Sequence, residues 1–328
     1  MLNRLLNLIA LLLLIGSASG QEPTIRTQTT AVLAPTLVKD AKGKLIHGLS
    51  AEDFTIHDDG VAQTVQLDEV LDVQPVSIVI AIQRGRRAFN ELSRVQGLSA
   101  MLNPLIGQGK TDFAIVDFDS HVHLARDFTN DGNLIKAELE NLKPGDGGAA
   151  ILDAVDYSVT LLNKAADDRL RVLLLISETR DHGSKAALTN VATAIATSAI
   201  VMHTLAFSPA LSEVLDDARG NNQATSNNMD LLAPIIMAGQ GMRKNIPKAI
   251  AAMTGGEYGL FKSDKGFDNR MNDFDNHLYN RYLLSFQPKD PHPGLHRIQV
   301  RLKEATRATV LARTSYWIPP VSLPGTRP

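Results

Sequence analysis

The sequence has no cysteine, and that single absence removes disulfides, thiolate metal sites and a cysteine nucleophile together. A cysteine-free chain suits either redox compartment, so location has to be read from the N-terminus. An excess of charge of one sign is also missing. Lys and Arg number 33 against 35 Asp and Glu, a formal net charge of −2, which gives no bulk attraction to nucleic acid or to an anionic membrane surface. There is no Gly-x-Ser-x-Gly elbow, no His-Glu-x-x-His pair and no Gly-x-x-x-x-Gly-Lys phosphate loop, so the sequence offers no catalytic residues and the expectation is a non-enzyme. Beyond the N-terminus no apolar run approaches the length of a membrane span. What is present is ordinary for a globular protein: 44% hydrophobic and 21% charged residues in a chain of 328, enough for two modest domains or one large core.

Met1 to Arg4 make a short positive start, Leu5 to Ile15 an almost unbroken apolar run, and Gly16-Ser17-Ala18-Ser19-Gly20 a small-residue exit before Gln21. These are the three parts of a cleaved signal peptide, with Ala18 and Gly20 placed for signal peptidase. An uncleaved anchor would need a longer run, and without a cysteine there is no lipoprotein processing. The expected mature chain starts at Gln21, keeps no membrane span and is secreted or periplasmic.

Hydrophobic rhythm divides the remainder. Residues 21–73 read as a β segment: Thr27 to Val38 is rich in β-branched residues, Asp40 to Lys44 is a turn, Ser50-Ala51-Glu52-Asp53 is a helix-start box, and strands over Phe54 to His57 and Thr64 to Leu71 flank Asp58-Asp59-Gly60. Residues 74–280 alternate short apolar strands (Val76 to Ile82, Phe113 to Phe118, Val172 to Ile176, Ile200 to Phe207) with helical spacing, as in Leu92, Val95, Leu98, Leu102 and Leu105. That alternation predicts a doubly wound, mainly parallel α/β sheet covered on both faces. Within it, 208–230 is polar, small and aperiodic, and reads as a mobile loop. Residues 281–328 return to β alternation. Neither end segment is large enough to bury a core alone, so the two are expected to pair into one small β domain into which the α/β domain is inserted.

The ordered set Val38 to Lys44, Gly48 to Phe54, Asp58-Asp59-Gly60, Pro75 to Ile80, Asp127-Phe128-Thr129, Gly147-Gly148, Leu152-Asp153-Ala154, Thr254-Gly255-Gly256, Tyr282-Leu283-Leu284 and Ala312 to Tyr316 resembles the VWFA-related proteins common in acidobacteria. The resemblance covers nearly all of the mature chain and implies a von Willebrand factor A (VWA)-like domain. Such domains bind protein partners through Mg²⁺ held at the carboxyl edge of the sheet, an ion that needs about six oxygen ligands. In this chain the family's first motif falls on Gln83, Gly85 and Arg87, its Thr on Ala149 and its late Asp on Glu178. Glycine and alanine bring no side-chain oxygen and arginine brings a positive charge. The resemblance therefore implies a degenerate adhesion site, with no metal and no cofactor.

The edge that replaces it comprises Gln83, Arg84, Gly85, Arg86 and Arg87, with Ala149, Asp153, Glu178 and Asp181. Arg87 can pair internally with Glu178, Asp153 or Asp181, or the arginines can take a partner's carboxylate through their planar fork, or the loop can be simply solvated. His121 and His123 with Asp119 have the makings of a Zn²⁺ site, against the plainer alternative of an exposed hairpin face. His203, in an apolar strand, reads as a satisfied core residue, and the other histidines are scattered. The function expected is an exported, metal-independent protein-binding module of the cell envelope. A scaffold subunit with no ligand at the edge, and a hydrolase with an unrecognised site, are the alternatives.

Overall fold

A computed structural model describes residues 31–68, 75–85, 88, 95, 97–106, 110–166, 169–207, 245–304 and 307–320. The signal peptide and its cleavage site, the 208–230 loop, Arg86 and Arg87 lie outside them. The first strand, β1 (Val32–Lys39), ends in the expected turn, where Asp40 Oδ1 accepts from the backbone N–H of Lys42 and Lys44 at 2.8 and 2.9 Å. The Ser50 box forms one 3₁₀ turn, with the Ser50 N–H donating to Asp53 Oδ2 at 2.7 Å. Next, β2 (Phe54–Asp58) and β3 (Val61–Gln63) make a hairpin over Asp59-Gly60. Both loop residues have positive φ, 48° and 86°, as a two-residue hairpin of matching twist requires. The sequence pattern puts the partner of β2 at 64–71; instead β3 fills that place, and β4 (Gln66–Asp68) leaves for a different sheet.

The α/β part begins with β5 (Val76–Gln83), buried at every position. It continues through α1 (Leu98–Ile106), β6 (Thr111–Phe118), β7 (Val122–Thr129), α2 (Gly132–Glu140), α3 (Ile151–Leu162), β8 (Leu170–Glu178), α4 (Leu188–Thr197), β9 (Ile200–Phe207), α5 (Ile246–Thr254), β10 (Tyr258–Phe261) and α6 (Asp264–Leu278). Successive residues of a strand point to opposite faces. Ile78, Ile80 and Ile82 accordingly pack with α1, α2 and α6, and Val79 and Ala81 with α3, α4 and α5. Covered on both faces, such strands need no polar alternation. The described strands form a six-stranded sheet in the order β10-β9-β8-β5-β6-β7, parallel except for edge strand β7. This is the doubly wound order, with its switch point between the carboxyl ends of β5 and β8. No helix among the described residues is long and apolar enough to cross a membrane.

Among the described residues four strands follow: β11 (Tyr282–Phe286), β12 (Gly294–Leu302), β13 (Thr309–Leu311) and β14 (Ser315–Ile318). The described end strands assemble as β13-β1-β11-β4 and β14-β12-β2-β3, so each sheet draws strands from both ends of the chain. Ala34, Val38, Phe54, Ile56, Leu284, Phe286, Ile298 and Tyr316 form the core between them. A fragment covering 24–73 lacks half of that core. Expressed alone, it should show no cooperative melt by circular dichroism, because its apolar burial falls short of the ordering entropy.

The β part docks against the amino edge of the parallel sheet. Gly255 ends α5 at φ 74°, and a Cβ there would lie 2.5 Å from the Ala312 carbonyl carbon and the Arg313 nitrogen. Beside it Glu257 takes Lys39 Nζ on Oε1 and His277 Nδ1 on Oε2, each at 2.5 Å. Arg281 is buried and donates to the Gly255 carbonyl at 2.8 Å and to His203 Nε2 at 3.2 Å. A guanidinium can only donate, so His203 accepts there as a neutral imidazole. Burial, reinforced by the Arg281 charge, holds its pKa down to about 3. The described residues, Ala31 onward, belong to one compact unit.

Candidate functional site

At the switch point Gln83 closes β5 and Glu178 closes β8, each 2% exposed. The Glu178 N–H donates to Gln83 Oε1 at 2.8 Å, and Gln83 Nε2 donates to Glu178 Oε1 at 3.1 Å. Amide and carboxylate thus lock the two strand ends to each other, with His182 Nε2 3.8 Å from Glu178 Oε1. The neighbouring loop packs backbone on backbone. A Cβ on Gly85 would come within 2.2 Å of the Gly148 carbonyl, and one on Gly148 within 2.1 Å of Ser120 Oγ. Ala149 is fully buried and exchanges two backbone hydrogen bonds with His182, at 3.0 and 2.8 Å.

The remaining acids turn inward. Asp153, in the first turn of α3, accepts from the N–H of Lys185 at 2.9 Å and of Ala186 at 2.7 Å. Asp181 accepts from the Leu152 N–H at 3.1 Å and from the Ser184 hydroxyl. Together they pin the 181–186 loop to the start of α3. Arg84 lies across the ends of β5 and β6, with Nε 2.5 Å from Asp117 Oδ1 and Nη2 3.1 Å from Asp119 Oδ2. The Nε contact is an ion pair by proximity and not an aligned hydrogen bond. Arg84, Asp117 and His123 line an open depression of about 320 Å³ with Glu138, Leu142 and Lys143.

No family model matches the chain, and no curated protein does. Solved structures do. The PilB minor pilin of Streptococcus sanguinis is similar at 12% identity with a TM-score of 0.45, over 65% of this chain and 63% of that one. This chain therefore spans just under two thirds of the pilin. BatB of Bacteroides thetaiotaomicron is similar at 15% identity and TM-score 0.40, over 61% and 99%. The vWF domain of the type V pili tip protein Mfa5 of Porphyromonas gingivalis is similar at 12% and 0.41, over 64% and 97%. The fold is a mainly parallel α/β sheet with added β sheets from the terminal segments.

Of the residues singled out in the sequence, Gln83, Gly85, Ala149 and Glu178 converge on the switch point, Asp153 and Asp181 stand beside it, and Arg84 is drawn to Asp117 and Asp119. The two histidines of the β6–β7 hairpin separate. His123 Nδ1 lies 3.2 Å from Asp117 Oδ2, whereas His121 groups with Asp119 and Asp146, so the structure does not assemble His121, His123 and Asp119 as one ligand set. Asp146 was not anticipated. It accepts from the N–H of Gly148 (2.8 Å) and from Ser120 N and Oγ (3.1 and 3.0 Å). These bonds, that from Gly148 foremost, hold its carboxyl below the usual range. The run Gly145-Asp146-Gly147-Gly148 was its only trace in the sequence.

Proposed function

We propose that the chain is an exported, non-enzymatic protein-binding module of the cell envelope, of the VWFA-related kind found in acidobacteria, and that its VWA-like domain engages a partner without a metal ion. The observation that carries this is the Gln83–Glu178 pair. At the positions where adhesion-type domains place oxygen ligands, the Gln83 amide is taken up by the Glu178 backbone N–H and carboxylate, Ala149 is sealed by backbone bonds, and Gly85 has no room for a side chain. A hexacoordinate Mg²⁺ does not fit that donor set. With the β part docked at the amino edge, the carboxyl edge presents the exposed His121, Asp146 and Lys185 as contact groups. Arg84, held by Asp117 and Asp119, favours the scaffold alternative at its own position, because an arginine consumed internally offers nothing to a partner.

A photocrosslinker at Lys185 should capture one protein in native envelopes, with chelator present or absent, and the same probe at Val61 on the β part should not. Capture that requires Mg²⁺, or capture from Val61 alone, would overturn the proposal. No capture from either position would leave the scaffold reading in its place. Millimolar Mg²⁺ should leave the melting temperature unchanged, since only a ligand bound to the native state raises it. A rise abolished by Glu178→Ala would contradict the metal-free edge.

A further inference from the structure

A cluster far from the sheet edge has the chemistry of a cation site. The turn after β2 carries Asp58 and Asp59, and β12 lies against β2 with Ile298 opposite Asp58. That register brings His292 and His296, in and just before β12, onto the two carboxylates. His296 is 1% exposed and is sandwiched between rings, stacked on His292 at 4.1 Å and on Tyr316 at 4.7 Å between centroids. Its Nε2 lies 2.7 Å from the His292 carbonyl oxygen. A carbonyl only accepts, so Nε2 carries the proton. In a neutral ring Nδ1 is then a lone pair, and it faces Asp59 Oδ2 at 3.0 Å and Asp58 Oδ1 at 3.3 Å. A lone pair between two carboxylate oxygens needs a positive charge, and only a proton or a metal ion can supply it.

The arrangement favours the metal once the exposed His292 ring turns out of its stack on His296, since rings stacked at 4.1 Å and 23° cannot both aim an in-plane lone pair at one ion. A proton on Nδ1 is aligned for Asp58 Oδ1, and that leaves Asp59 Oδ2 buried with no hydrogen-bond partner. His292 Nε2 stands 3.7 Å from that same oxygen. The ligand atoms of Asp59, His292 and His296 all lie within 4.8 Å of one another. Tetrahedral ligands 2.0–2.1 Å from a zinc ion are about 3.3 Å apart, and the two separations from Asp59 Oδ2, 3.0 Å to His296 and 3.7 Å to His292, bracket that value. The supporting bonds are those of a built site. Arg297 N–H donates to Asp59 Oδ1 at 2.9 Å, leaving Oδ2 toward the rings. Tyr316 OH donates to Asp58 Oδ2 at 2.8 Å, and His296 Nε2–H is held by a carbonyl as metal-bound imidazoles usually are.

We propose that Asp59, His292 and His296, with Asp58 alongside, bind one divalent transition-metal ion of the zinc type, chosen by two imidazoles and carboxylate with no thiolate. The ion would clip the β2–β3 turn to the lead-in of β12. The site is independent of the sheet edge and departs from the metal-free expectation for the chain.

The test uses the full mature chain, stripped with chelator and titrated with ZnCl₂ by calorimetry, with melting curves in parallel. One equivalent should bind and raise the melting temperature by several degrees. His292→Ala removes an exposed ligand, so the apo variant should melt as the parent does and yet bind zinc at least tenfold more weakly. Asp59→Asn, which tolerates the turn's positive φ, should do the same. Absence of stoichiometric binding in the parent would overturn the proposal and make His296 an imidazolium between two carboxylates. So would zinc binding that survives His292→Ala and is lost in His121→Ala, which would place the ion at the sheet edge.

Discussion

Glu257→Ala should cost about 3 kcal/mol of stability, the low end of the penalty for breaking a buried ion pair from one side, because Lys39 and Glu257 are only partly buried. Its carboxylate, 18% exposed, answers Lys39 from β1 and His277 from α6, and it is the charge that partly offsets the burial of Arg281, whose own pKa is pushed down to about 10 by desolvation. Alanine would leave Lys39 and His277 without their acceptor and Arg281 without its nearby negative charge. Burial alone would raise the carboxyl pKa of Glu257, but the His277 hydrogen bond and the surrounding positive charges outweigh it, and the folded value lies well below the ordinary one. A depressed carboxyl contributes stability that is present above its unfolded pKa and lost as pH falls through the folded value. Denaturant midpoints of parent and variant should therefore differ fully at pH 7 and converge in strong acid. Equal midpoints at pH 7 would show that the network carries no net stability.

Gly255→Val is expected to be comparably damaging for a different reason. The position is left-handed, at φ 74°, which costs an L-residue about 1–2 kcal/mol and a β-branched one more. The added Cβ would also sit 2.5 Å from backbone atoms of Ala312 and Arg313. No rotamer moves backbone aside, so the C-terminal segment must shift, at about 1–3 kcal/mol as in overpacked cores. Thr254 and Arg313 are bridged and the Thr314 N–H reaches the Met253 carbonyl at 3.1 Å, so the shift would break the docking of the β part to α5. The check is a thermal melt of the variant beside Gly147→Val, where a Cβ meets nothing within 4 Å and the loss should be small.

The parts of the fold visible in the sequence are those with a strong local pattern. The all-apolar runs of β5, β8 and β9 announce strands covered on both faces, and Gly255-Gly256 marks the end of α5. Helix α2 was hidden, because only Ile135 and Leu139 of its nine residues are buried and its start depends on an Asp131 cap. Edge strand β7 carries the weakest pattern of the sheet, since its positions are half-exposed without clean alternation. At the site, the family resemblance located Gln83 and Glu178, but their mutual bonding follows from the β5–β8 pairing, which no local pattern encodes. Arg84 read as available to a partner, whereas the β5–β6 register, Gln83 opposite Phe118, hands it to Asp117 and Asp119. His292 and His296 looked scattered for the same reason: their carboxylates come from the other end of the chain.

The interleaving of the two end segments also dictates an order of events. Val32 pairs with Phe286 and Val38 with Val310, so a strand synthesised early waits for partners made more than two hundred residues later. Contacts of such long sequence separation form slowly, because closure of the intervening chain has to come first. Once the α/β insert has folded, it acts as a short rigid tether that holds β1 and β11 at high effective concentration. Until then β1 presents an unpaired edge, the kind of exposure that invites aggregation. A substitution that merely slows folding of the insert should therefore lower the yield of a β part it never touches.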